Sequence, residues 1–158
     1  NTVEKGVESA AKLGIHMLTV HVVGGREMLK KAALVAKTLN GPKILAVTVL
    51  TSMDDNTLKK LYYSKNISEL APYYAMYAKE SGIDGVISSP LEIETIRMQC
   101  NNDFLIVTPG IRFTDKQDDQ KRTMTPQEAI NKGADYIVVG RPILELSDPK
   151  TFFDKLVL

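Results

Sequence analysis

At 158 residues and 44% hydrophobic content, the chain has the size and apolar share of one domain, 1–158, able to bury its own core. Twenty basic residues against nineteen acidic ones leave a net charge of +1, which excludes a global field for nucleic acid or an anionic membrane. Cys100 is the single cysteine, excluding an internal disulfide and a multi-cysteine zinc site, and no apolar run approaches the roughly 20 residues that span a bilayer. With no signal-peptide core at the N-terminus, the expectation is a cytoplasmic protein without a membrane partner.

In chain order, Val3, Val7, Ala10 and Ala11 lie at helical spacing, predicting a helix over 3–13 that stops at Gly14. An apolar run over 17–20 ends at His21, with Gly24-Gly25 close behind. A helix over 27–39 ends at Asn40-Gly41-Pro42. Residues 43–50 read as a strand with Thr51-Ser52 at its C-terminal end, followed by a short polar helix or turn over 54–63 and a helix over 68–79. A brief strand over 84–88 and a helix over 90–99 come next. Residues 104–107 and 136–139 are continuous apolar runs rich in β-branched and aromatic residues, as in strands buried on both faces of a parallel sheet. Between them, Thr125 is a capping hydroxyl, Pro126 a first helical residue and Glu128 a first-turn acid, ahead of a helix that stops at Gly133. A short helix closes the chain after Asp148-Pro149. Five strands alternating with helices predict an α/β domain with a parallel sheet.

The last quarter carries the chemistry. The run at 104–107 leads into Thr108-Pro109-Gly110-Ile111-Arg112, and the run at 136–139 into Gly140-Arg141-Pro142. A glycine directly after a buried strand lets backbone N–H groups approach an oxyanion, and an arginine beside it offers a planar, permanently charged fork to phosphate oxygens. In (β/α)8 barrels phosphate is frequently held by the loops after the seventh and eighth strands, and the Gly140-Arg141 pair fits that site. The competing reading of Arg141 is an ordinary surface arginine. Arg112 stands between ligand contact and holding the base of the following segment. Thr51 stands between ligand contact and capping the next helix. His21 reads as a structural histidine under the Gly24-Gly25 turn more readily than as a catalytic one, and His16 as a surface residue. Tyr62, Tyr63, Tyr73, Tyr74 and Tyr77 suit helix packing or a dimer contact better than a base-stacking platform. Cys100 reads as inert.

Taken together, Thr108-Pro109-Gly110-Ile111-Arg112, Asp119-Gln120-Lys121-Arg122 with Met124-Thr125-Pro126, and Gly140-Arg141-Pro142-Ile143 resemble the orotidine 5'-phosphate decarboxylase family. Val20-His21 with Gly24-Gly25, and the run from Ala46 to Ser52, match that family in the same order. The resemblance implies a (β/α)8 barrel, here its fourth to eighth strands with their helices, and a homodimer with active sites at the subunit interface. It implies conversion of orotidine 5'-phosphate to UMP without cofactor or metal, as a step of pyrimidine biosynthesis. Under it, Gly140 and Arg141 bind the 5'-phosphate, Gln120 joins them from a closing loop, and Arg112 lies at that loop's base. Thr51 and Ser52 face the pyrimidine, and Thr2 ends a motif that contributes to the partner subunit's ribose site. Residues 113–123, with six charges and no glycine, then read as a lid rather than a disordered surface loop.

The family's catalytic signature is Asp-x-Lys-x-x-Asp-Ile-Pro-Asn-Thr, and this sequence opens at its final Asn-Thr. The resemblance therefore implies a chain that holds phosphate but lacks the lysine and aspartates of the reaction, inactive alone, against about 250 residues for a typical barrel. Aspartate and lysine also combine at 115–118 and 148–154, without the family's spacing, and read as solvated charged loops. Two rivals remain: a related sugar-phosphate decarboxylase or aldolase of the same barrel type, and a phosphate-binding or assembly module without catalysis.

Overall fold

In a computed structural model of the chain, the residues described are 2–61, 63–112, 122–144 and 148. The strands are β1 (Met17–His21), β2 (Lys43–Val47), β3 (Gly85–Ile87), β4 (Leu105–Thr108) and β5 (Tyr136–Ile137), all parallel and in chain order across one sheet. The helices are α1 (Thr2–Lys12), α2 (Arg26–Thr38), α3 (Asp55–Lys60), α4 (Ile67–Glu80), α5 (Ile93–Cys100), α6 (Pro126–Asn131) and α7 (Arg141–Leu144). The closing helix expected over 149–158 lies outside the described residues.

Register explains which face is covered. Val20 pairs with Ala46, Ala46 with Val86 and Val86 with Ile106, so these four point the same way, and all are buried in one cluster with Leu29, Ala32, Ala75, Ala78, Ile93 and Ile96 from the helices. That cluster is the main core. A second, smaller one joins Val49, Leu58, Ile67, Leu70 and Ala71 where α3 meets α4. Strand spacing is tightest at Gly85, where an added Cβ would stand 2.4 Å from the Leu105 carbonyl oxygen. Only glycine fits that register.

Two strand starts are tied by the same device. Asp84, just before β3, accepts the Ile44 N–H at 2.9 Å and pairs with Lys43 at 3.0 Å. Asp135, just before β5, accepts the Ile106 N–H at 2.7 Å and the Arg97 guanidinium at 2.7 Å. Each carboxylate satisfies a donor of the preceding strand that the ladder leaves unpaired.

Several expectations need correction. The strand expected over 43–50 ends at Val47: the Thr48 N–H and hydroxyl both still reach the Ile87 carbonyl at 3.1 Å, and the chain then bends into the turn closed by Met53 N–H to Leu50 O. The helix expected over 90–99 starts as a 3-10 turn, Pro90–Glu92, before α5. The run at 136–139 pairs only over Tyr136–Ile137, and Tyr136 and Val138 are half exposed. β5 is the outermost strand among the described residues, so its apolar side chains do not gain the two-sided burial that β4 has. His21 is exposed at the end of β1, and Val22 is the residue buried at the turn.

Candidate functional site

Parallel strands bring all their C-terminal ends to one edge, and this is where the polar residues collect. Thr48 follows β2, Ser88 and Ser89 follow β3, and Thr108 ends β4. All four are buried. The Thr48 hydroxyl reaches Ser88 Oγ at 3.2 Å, and the Thr108 hydroxyl donates to the Ser88 carbonyl at 2.8 Å. These hydroxyls knit neighbouring strand ends where the ladder stops. In the sequence Thr108 stands within a motif, but none of these hydroxyls is assigned a role there, although a serine pair directly after Val86-Ile87 is a visible signal.

Thr51 lies beside this row, buried, and close to the β4 end: a Cβ placed on Gly110 would stand 3.8 Å from Thr51 Cγ2. The structure assigns the cap of α3 to Asp54, whose carboxylate accepts the Thr57 N–H at 2.9 Å, so Thr51 is not that helix's cap. Ser52 is exposed next to it. Gly110 has φ of +80°, a conformation that disfavours any other residue. It also needs the space, since its added Cβ would be 2.8 Å from the Arg122 carbonyl oxygen.

Residues 110–112 and 122–124 are tied together on either side of 113–121. Ile111 bridges Met124, the Arg112 N–H donates to Met124 O at 3.0 Å, and the Met124 N–H donates to Gly110 O at 3.2 Å. Arg112 is partly buried and one Nη donates to the Ile111 carbonyl at 2.8 Å. Gln120, with the lid expected around it and the aspartate-lysine pair at 115–118, lies outside the described residues.

Beneath this tie sits an ion pair that sequence reading missed. Arg122 Nη1 donates to Glu92 Oε1 at 2.7 Å, both side chains are nine-tenths buried, and Arg122 Nη2 reaches the Leu50 carbonyl at 3.3 Å. Burial pushes the Glu92 carboxyl up from its ordinary value, while the Arg122 charge and the Ser89 hydroxyl pull it back.

Gly140 and Arg141 follow β5, on the β4 side of the row, with the Val138 N–H bonded to Thr108 O at 2.9 Å. Both are exposed, and a Cβ on Gly140 would meet no atom within 4 Å. Thr2 lies elsewhere. It opens α1, ahead of β1, and is exposed, whereas Arg141 follows β5 at the other end of the strand order. Among the described residues, no group of three or more His, Cys, Asp or Glu side chains could hold a metal ion. No helix among them is long and apolar enough to cross a membrane.

The family model described as "Orotidine 5'-phosphate decarboxylase / HUMPS family" matches residues 1–156. A protein of Trichlorobacter lovleyi named orotidine 5'-phosphate decarboxylase is 49% identical over 154 residues, covering 94% of this chain and 64% of its own length. One of Legionella pneumophila with the same name is 46% identical over 152 residues, covering 94% and 66%. The crystal structure of orotidine 5'-phosphate decarboxylase from Lactobacillus acidophilus matches with a TM-score of 0.85 at 41% identity, over 98% of this chain and 67% of that one. This chain thus spans about two thirds of the length of such relatives, and its five parallel strands with their helices are the matching part of a (β/α)8-type fold. The chain belongs to the orotidine 5'-phosphate decarboxylase / HUMPS family.

Proposed function

We propose that this chain forms the phosphate-holding and pyrimidine-facing part of an orotidine 5'-phosphate decarboxylase, a cofactor-independent lyase that makes UMP. The observation that carries the reading is the row of strand ends. Thr51 packs beside Gly110 at one part of it, and the open, exposed Gly140-Arg141 step lies one strand further on. A planar guanidinium beside accessible backbone suits a phosphate dianion, and a buried hydroxyl with limited freedom suits a fixed polar edge such as a pyrimidine's. Ser52, Arg112, Gln120 and Thr2 keep the roles that the resemblance assigns them.

Decarboxylation at the ring leaves a carbanion-like centre that requires a cation and a proton donor held near it. In this reading the family's Asp-x-Lys-x-x-Asp motif supplies them, from the part of the relatives that this sequence does not include. The residues present here bind and orient; the reacting groups come from that motif. Homodimerisation and a cytoplasmic location belong to the same proposal, and exposed Leu34 on α2 and Tyr73 on α4 are apolar surface that an interface could use.

The test joins this chain behind the amino-terminal third of the Trichlorobacter lovleyi relative and follows loss of the absorbance of orotidine 5'-phosphate. Turnover by the joined protein, with none by the 158-residue chain alone, is the expected result. A folded joined protein that binds the substrate and leaves it intact would sink the assignment.

A further inference from the structure

The Glu92–Arg122 pair is a feature of the strand-end edge that the proposed function does not use. A buried ion pair is a weak source of stability, because removing two charges from water costs about as much as their attraction returns. Here the pairing is also incomplete. Among the described residues, Glu92 Oε2 and Arg122 Nε are buried without a hydrogen-bond partner. Two apolar residues of similar volume would fill the same space with no such penalty, so the pair calls for a reason other than stability.

Its geometry supplies one. Glu92 lies on the 3-10 turn after β3, Leu50 on the turn after β2, and Arg122 bonds both, at 2.7 and 3.3 Å. The carbonyl of Arg122 is the atom against which Gly110, after β4, is packed. One residue therefore sets the spacing of three consecutive strand ends. Thr51 sits next to Leu50 and against Gly110, inside that frame. Gly140 and Arg141, after β5, lie outside it.

We propose that Glu92 and Arg122 are a positioning pair that locks the ends of β2, β3 and β4 into one rim, and so governs affinity for the base of a pyrimidine nucleotide while leaving the grip on phosphate unchanged. The nucleotide part of this inference rests on the function proposed above; the rim does not. Neither side chain need touch the ligand.

The experiment compares the wild-type chain with Arg122→Lys and with the double variant Glu92→Leu/Arg122→Met, which replaces both charges by apolar groups. Urea unfolding, amide hydrogen exchange, and titration with UMP and with inorganic phosphate are measured on each. The double variant is expected to unfold at the wild-type urea concentration or above, to bind inorganic phosphate within twofold of wild type, and to bind UMP at least tenfold more weakly. Exchange at residues 48–51 and 110–112 should accelerate together in both variants, with β-core amides unmoved. A merely structural pair predicts the reverse: once stability is restored in the double variant, UMP affinity returns with it. That outcome overturns the proposal, as does exchange that rises uniformly or not at all. If the wild-type chain binds phosphate but not UMP, the nucleotide reading fails by itself, and the rim stands or falls on the exchange pattern alone.

Discussion

Gly110 and Gly140 look alike in the sequence, each a glycine after an apolar run, yet the fold asks different things of them. Gly110 has positive φ and no room for a side chain beside the Arg122 carbonyl, whereas Gly140 has open space in front of it. Gly110→Ala should therefore destabilise the chain by about 1–3 kcal/mol in urea unfolding, from left-handed strain plus crowding. Gly140→Ala should change stability by no more than about 0.5 kcal/mol, while its methyl group obstructs an approaching oxyanion and weakens phosphate binding. Equal losses of stability in the two variants would contradict this distinction. At this scale the sequence was readable where position is local: the Gly140-Arg141 step follows a strand end, as its place after the apolar run suggested. It was not readable where the meaning depends on a distant partner. Glu92 and Arg122 are thirty residues apart and carry no local pattern, and Thr51 stood between ligand contact and a helix cap, a place that Asp54 holds.

Among the elements, α6 was the most legible. Thr125, Pro126 and Glu128 form the capping box that their spacing announced, with the Glu128 N–H donating to Thr125 Oγ1 and the Thr125 N–H to Glu128 Oε2 at 3.1 Å. The Thr125 hydroxyl also donates to Glu128 Oε2 at 2.7 Å, and that bond first, then the Thr125 N–H, holds the Glu128 carboxyl below its ordinary value of 4.5. A depressed carboxylate adds stability that is present above the unfolded value and lost as pH falls through the folded one. Thermal unfolding should accordingly show wild type above Glu128→Gln near neutral pH, with the gap closing as pH drops below about 4.5; a gap that widens on acidification would refute the sign. The strand-start aspartates were not legible, because their acceptors are backbone N–H groups of another strand. Asp135→Ala strips a bond from Ile106 N–H and leaves the mostly buried Arg97 without its carboxylate. Loss of a charged acceptor of this kind costs about 2–3 kcal/mol, checked by the urea midpoint against wild type. Strand ends were the least reliable reading: 43–50 and 136–139 both overran, since apolar character continues past the last ladder bond.

For the molecule as a whole, alternation of helical and strand patterns was enough to give an α/β domain with a parallel sheet, because each crossover helix fixes its neighbours' direction, whereas the order of the strands was not legible in the alternation. The sheet in turn decides which candidates can cooperate. Thr51 lies near Gly110, Gly140-Arg141 follow the strand that pairs with β4, and Thr2 opens the helix ahead of β1, the strand at the other end of the order. The central claim is that this edge recognises a nucleotide through its phosphate. Calorimetric titration of the chain with UMP and with uridine, in wild type and Arg141→Ala, tests it most directly. The account predicts saturable binding of UMP, no measurable binding of uridine, and a loss of about 10- to 100-fold in UMP affinity in the variant, the worth of a charged hydrogen bond. Equal binding of UMP and uridine, or an unchanged UMP affinity in Arg141→Ala, would contradict it.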